Sequence, residues 1–392
     1  MPYAPADGIS SKGRTPIKYD LLIKKGHVID PSQTIDRVMD VALAGGKVAA
    51  IADSLPEADA AELLDADGMI VTPGLIDLHV HNFWGGNEYG IEPDSTNLAK
   101  GVTTALDAGS SGATNFAAFR RFIMEPASTR LLALINISTL GLISKDIGEL
   151  TDLDLADAEA AAKVGRDNRD LVLGIKARLS EPIARGNDVG AVKRALEAAE
   201  AMGGFLMIHV GNTVTPMEEL VSMLRPGDVV THAYHGTKHG ILDDAGKVIA
   251  GMWEAQKRGV IFDIGHGAGS FSFRVAERAL ADGFYPGNIS SDLHAYNVNG
   301  PVHDHVTILS RFLHLGLSLY DTIRLTTQAT ADVMGLTGKL GTLTPGAEGD
   351  VSVLKLEEGR FDLTDSYGTT VNANHRLTHV ATVKAGHRYP SH

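Results

Sequence analysis

Short apolar runs recur along the chain, and most of them stop on a polar side chain. Runs at 75–81, 102–107, 131–137, 171–176, 205–209, 229–232, 260–264 and 289–292 each have strand length. Segments of helical periodicity lie between them, for example 189–202 (VGAVKRALEAAEAM) and 246–258. Eight strand-then-helix units in about 265 residues predict an α/β fold of the (β/α)8 TIM-barrel type, whose usual size is ~250 residues. An open doubly wound sheet is the competing layout. The barrel is preferred because the polar residues gather at the C-terminal ends of the strands, where barrel enzymes place their chemistry.

Alternating or apolar runs between Gly and Asp turns occur at both ends of the chain: 19–30, 37–52 and 62–71, then 349–356 and 379–383. They predict a small β-sandwich domain built from both chain termini, residues 19–72 plus 340–392, with the barrel at 73–339. Residues 1–18, opening on a stretch rich in Pro, Gly and Ser, are expected to be a disordered tail. No window reaches the ~18 apolar residues of a membrane span, and the start of the chain has no apolar stretch of signal-peptide length. A cytoplasmic protein is therefore expected, and a homo-oligomer is left open.

Asp plus Glu outnumber Lys plus Arg, 48 to 35, for a formal charge of −13. A surface of that sign repels phosphate backbones, which excludes nucleic acid as a partner. Cysteine is absent. Thiolate zinc sites and cysteine nucleophiles are thereby ruled out, and His, Asp, Glu and Lys are left for metal or acid–base work.

The motif Asp77-Leu78-His79-Val80-His81 ends the first barrel strand. On a strand, residues i and i+2 point the same way, so His79 and His81 present two imidazoles suited to one divalent ion. The pair His303-Asp304-His305 has the same spacing but follows Pro301 and opens a predicted helix, where the two rings diverge; a structural role is expected there. Lys176, His209, His232 and Asp292 close the fourth, fifth, sixth and eighth strands. Each alone reads as a snorkelling lysine, a core histidine or a helix cap. Together they converge on one end of the barrel.

This constellation resembles the binuclear amidohydrolase superfamily, in its deacetylase/dihydroorotase-like branch. Val71-Thr72-Pro73-Gly74-Leu75-Ile76-Asp77-Leu78-His79-Val80-His81 is similar to the superfamily's opening motif. Gly341-Thr342-Leu343-Thr344-Pro345-Gly346 with Gly349-Asp350 is similar to its closing segment. The resemblance implies that His79, His81 and Asp292 hold a buried metal ion, that His209 and His232 hold an outer one, and that a carbamylated Lys176 bridges both. It implies two divalent ions, zinc by preference, and attack by a metal-bridging hydroxide with Asp292 as the catalytic proton shuttle.

Arg178, two residues past Lys176, is expected to bind a substrate carboxylate; the alternative is a salt bridge with Glu181. Tyr89, His266 and Tyr296, in loops after strands, are expected to contact the acyl group. Dihydroorotases carry an arginine soon after H-x-H, where Asn82-Phe83-Trp84 stand here. Gly174-Ile175-Lys176-Ala177-Arg178-Leu179-Ser180 looks most like the deacetylase-like branch. The expected substrate is thus a small N-acyl amino acid or O-acyl hydroxy acid, split at its amide or ester bond. Cyclic-amide ring opening, as in dihydroorotases and hydantoinases, is the first alternative and a non-catalytic barrel scaffold the second. The glycine-rich run Gly265-His266-Gly267-Ala268-Gly269 lacks the βαβ context of a nucleotide site.

Overall fold

In the computed structural model, which describes residues 18–144 and 146–389, Tyr19–Asp30 forms strand β1 with Leu21, Ile23 and Val28 buried. All but the last residue of the expected N-terminal tail lie outside the described residues. The run at 37–52 divides at Gly45-Gly46 into β2 (Ile35–Ala44) and β3 (Lys47–Ala52), paired antiparallel. The run at 62–71 divides as well, into β4 (Ala60–Asp65) and β5 (Ile70–Pro73), both parallel to β1.

Seven parallel strands follow, each paired with the next: β6 (Leu75–Val80), β7 (Val102–Ala108), β8 (Arg130–Asn136), β9 (Val172–Arg178), β10 (Phe205–His209), β11 (Val229–Thr231) and β12 (Ile261–Phe262). Parallel neighbours need a crossover, and helices such as Asp188–Met202 supply it, burying Ala191, Val192, Ala195 and Ala199. The eighth run, expected at 289–292, forms no continuous strand. It joins β12 and β6 through single parallel bridges, Asp263 to Asn288 and Val80 to Leu293. The reason is local: Asp292 has φ +50°, outside the extended region, so the ladder is interrupted there. Asp292 N–H nevertheless donates to the His79 carbonyl at 2.7 Å, and His81 N–H to the Leu293 carbonyl at 3.0 Å. These bonds tie the last segment to the first strand.

The chain then returns to the first sheet through β13 (Val351–Thr364), β14 (Thr370–Lys384) and β15 (His387–Tyr389), giving the order β15-β14-β13-β5-β1-β2-β3 with β4 beside β1. The runs at 349–356 and 379–383 are therefore only the inner ends of a long hairpin. Its outer half buries few side chains, chiefly Leu363, Ala373 and Leu377, so no apolar run marks it. Arg130 of β8 meets both Glu348 and Asp350, and Lys384 meets Asp350, tying the two sheets together.

Beneath the barrel's mouth, Leu134, Met207 and Val229 pack in one buried cluster with Leu106, Met334 and Leu340. Each lies two residues before a polar residue, Asn136, His209 and Thr231, so strand alternation stacks an apolar floor under a polar layer. No helix among the described residues is long and apolar enough to cross a membrane.

Candidate functional site

The polar layer brings together His79, His81, Lys176, His209, His232 and Asp292. The Nε2 atoms of His79 and His81 lie 3.3 and 3.2 Å from one Asp292 carboxylate oxygen, and His232 Nε2 lies 4.0 Å from the other. Lys176 Nζ is 3.0 Å from His79 Nε2, and His209 Nδ1 is 2.8 Å from His232 Nε2. Gly109, at φ +84°, lets the chain pass here: a Cβ on it would fall 2.6 Å from Lys176 Cβ. Both Asp292 and His232 are non-glycine residues in the left-handed region, at φ +50° and +67°. Backbone strain of about 1–3 kcal/mol each is typical of residues held in place for function.

A second layer fixes which ring nitrogens are free. Thr231 Oγ1 donates to Asp263 at 2.6 Å, so it accepts from His79 Nδ1–H at 2.8 Å and leaves His79 Nε2 with its lone pair. His232 Nδ1 lies 2.6 Å from the Gly265 carbonyl, which can only accept, so His232 Nε2 is also bare. His81 Nδ1 pairs with Ser110 Oγ at 2.9 Å. Orienting a ligand histidine through its other nitrogen is a common device of metal sites. Burial keeps these rings neutral. It pushes His81 and His232 down to about 3, and holds His79 and His209 well below the ordinary imidazole value. The same burial pushes the Lys176 ammonium down to about 7.

Neutral imidazoles with defined tautomers beside a carboxylate form a donor set that suits a divalent cation. His79, His232 and Asp292 each bring a ligand atom within 4.8 Å of the others.

A cavity of about 280 Å³ opens above these groups. Three of the four residues expected to touch substrate line it: Tyr89, Arg178 and Tyr296. His266 stands apart. It is fully buried, stacks on Phe271 at 4.7 Å, and leaves its neighbours Ala268, Gly269 and Ser270 to form the wall. Arg178 makes its salt bridge to Glu149 rather than Glu181, through Nε at 2.8 Å and Nη2 at 2.7 Å, while Nη1 donates to the Tyr89 hydroxyl at 3.0 Å. Burial works to lower the guanidinium, but Glu149 outweighs it and holds Arg178 above its ordinary range.

His294 also lines the cavity, its Nδ1 accepting from Tyr296 N–H at 3.2 Å and its Nε2 lying 4.0 Å from Asp292. Its signal was the i, i+2 spacing from Asp292, the same that marks His79 and His81. Glu149 carried no local signal, since it reaches Arg178 from a distant loop. The pair His303 and His305 does not join the site. His305 opens the helix His305–His314 under an Asp304 cap and sits buried, 3.1 Å from Asp77.

No family model matches the chain. A deacetylase of Enterococcus faecalis is 34% identical to it over 95% of this chain and 99% of its own. A crystal structure of an adenine deaminase superposes with a TM-score of 0.88 at 35% identity, covering 95% of this chain and 99% of that one. A crystal structure of a dihydroorotase does so at 0.86 and 30%, with the same coverage.

Proposed function

The chain belongs to the amidohydrolase superfamily and is a hydrolase, and from that premise we propose that it is a metal-dependent deacetylase of small acylated acids. The observation that carries this reading is the convergence of four histidines, Lys176 and Asp292 at the mouth of the barrel. In this reading His79, His81 and Asp292 would hold one divalent ion, His209 and His232 the other, and Lys176, as its carbamate, would be a ligand to both. Zinc suits these ligands. We read the protein as cytoplasmic and its second sheet as a domain assembled from both ends of the chain.

When bound, the two ions supply a water activated at neutral pH and polarise the scissile carbonyl. The chain's own groups do the rest. The Asp292 carboxylate faces the cavity and is placed to take a proton from the attacking water and return it to the leaving amine or alkoxide. Tyr89 and Tyr296 flank the acyl group. Arg178, oriented by Glu149 and Tyr89, holds the substrate carboxylate.

Metal content by plasma mass spectrometry tests this, on protein grown with zinc and bicarbonate and then assayed on N-acetyl amino acids and acyl esters. Two ions per chain with deacylation are expected. One ion would point to a mononuclear deaminase-like site, and none in folded protein to a scaffold. Ring opening of cyclic amides is the second reading, favoured by the dihydroorotase superposition. Asn82-Phe83-Trp84 in place of the ring-binding arginine weighs against it, and a parallel ring-opening assay separates the two.

Arg178→Met is expected to raise KM for acidic substrates roughly thirtyfold, about 2 kcal/mol for a charge-assisted contact. Neutral analogues should be unaffected. Because Glu149 would be left buried without its partner, the pair Arg178→Met with Glu149→Gln is the cleaner variant. Equal loss on acidic and neutral substrates would remove Arg178 from carboxylate recognition.

A further inference from the structure

The hairpin β13–β14 does more than extend the second sheet. Its tip, residues 365–369, reaches the loop that follows β12, and that loop touches the site at three places. The Gly265 carbonyl fixes the His232 tautomer. Gly267, at φ +58°, passes so close to Asp292 that a Cβ there would lie 2.5 Å from its carboxylate oxygen. Ala268, Gly269 and Ser270 form one wall of the cavity.

The loop's outer side is held by the tip. Ser366 Oγ lies 2.9 Å from the Gly267 carbonyl and 3.1 Å from that of His266, and Ser366 N–H donates to the Phe271 carbonyl at 3.1 Å. Tyr367 donates its hydroxyl proton to the Gly269 carbonyl at 2.8 Å and accepts from Gly236 N–H, also at 2.8 Å. That single hydroxyl therefore joins the loop after β12 to the loop after β11, which begins at His232. Asp365 steadies the tip, accepting from Phe273, Tyr367 and Thr369 N–H groups. Arg311 braces it from the barrel side through the Thr364 carbonyl at 2.9 Å.

A loop rich in glycine is conformationally free on its own. Here that freedom is removed by side chains from the other sheet. We propose that Ser366 and Tyr367 are positioning residues that set the cavity wall at 268–270, and so decide which acyl group the site accepts. This rests on the deacetylase reading for its substrate, but not for its mechanics.

Two measurements on the full-length, metal-loaded protein test it. Tyr367→Phe and Ser366→Ala are compared with the parent by hydrogen–deuterium exchange and by steady-state kinetics, using the best N-acetyl amino acid and its N-butyryl counterpart. Amides in 266–272 are expected to exchange roughly tenfold faster in the variants, while the barrel strands do not change. KM for the acetyl substrate should rise roughly tenfold with kcat within threefold, and the preference for acetyl over butyryl should shrink. Unchanged exchange, or unchanged KM and acyl preference, would overturn the proposal. So would an equal fall in activity on both substrates with loss of metal or of melting temperature, which marks a structural prop. Faster exchange in a protein whose parent deacylates nothing would leave the clamp standing and defeat the functional reading instead.

Discussion

Lys176→Ala is expected to lose activity by roughly a thousandfold, equivalent to about 4 kcal/mol of barrier, and to bind less than its full metal complement. The chemistry follows from where the lysine sits. Its side chain is buried among four histidines, with Nζ 3.0 Å from His79 Nε2. An ammonium there would repel a metal ion, but burial pushes Lys176 down to about 7, against an ordinary value of 10.5. In the proposed reading the neutral amine would add to carbon dioxide, giving a carbamate and releasing one proton. That product would carry a negative charge and two oxygens able to serve as metal ligands. The direction with pH follows: below about 7 the ammonium form dominates and carbamate formation is suppressed. At fixed dissolved carbon dioxide, metal loading at pH 8 should therefore exceed loading at pH 6. A small carboxylic acid such as acetate or propionate, fitted into the space left by Lys176→Ala, should restore part of both metal content and activity. An alanine variant that keeps full activity without such an acid would remove the carbamate from the reading.

The strands that carry these candidate ligands are legible because each is a short apolar run closed by a polar residue. Phe205–His209 matches its expected bounds, and β6 to β9 differ from theirs by a residue or two. The second layer was not legible. Thr231, Asp263 and Gly265 orient His79 and His232 through contacts between neighbouring strand ends and loops, and nothing in the order of residues announces such pairings. The partner of Arg178 shows the same limit: Glu181 lies three residues away, but Glu149 has the geometry. The place of His266 is set in the same way, since following a strand does not decide whether a side chain faces the cavity or the core. It stacks on Phe271 and leaves the wall to smaller residues. The outer hairpin leaves no apolar trace in the sequence because both its faces are largely exposed.

Asp292→Asn is expected to lower kcat by roughly 10²- to 10⁴-fold, the usual range for removing a positioned acid or base. The amide keeps the shape of the carboxylate, and the backbone bonds that hold it, Asp292 N–H to the His79 carbonyl and Asn297 Nδ2 to the Asp292 carbonyl, are untouched. The variant should therefore fold and retain its melting temperature. A fall in kcat alone does not separate a proton shuttle from a lost metal ligand, because Asp292 stands close to His79 and His81 as well as to the cavity. The leaving group does separate them. If Asp292 returns a proton to the departing atom, an amide, whose nitrogen must be protonated to leave, depends on it fully. An aryl ester with an acidic phenol leaves without help and should lose far less. A series of esters of graded leaving-group acidity is thus expected to show a steeper dependence of kcat in Asp292→Asn than in the parent enzyme. Equal losses across that series, together with reduced metal content, would make Asp292 a ligand only and assign the proton to another group at the cavity. His294, with Nε2 at 4.0 Å from the carboxylate, would then be the first to examine.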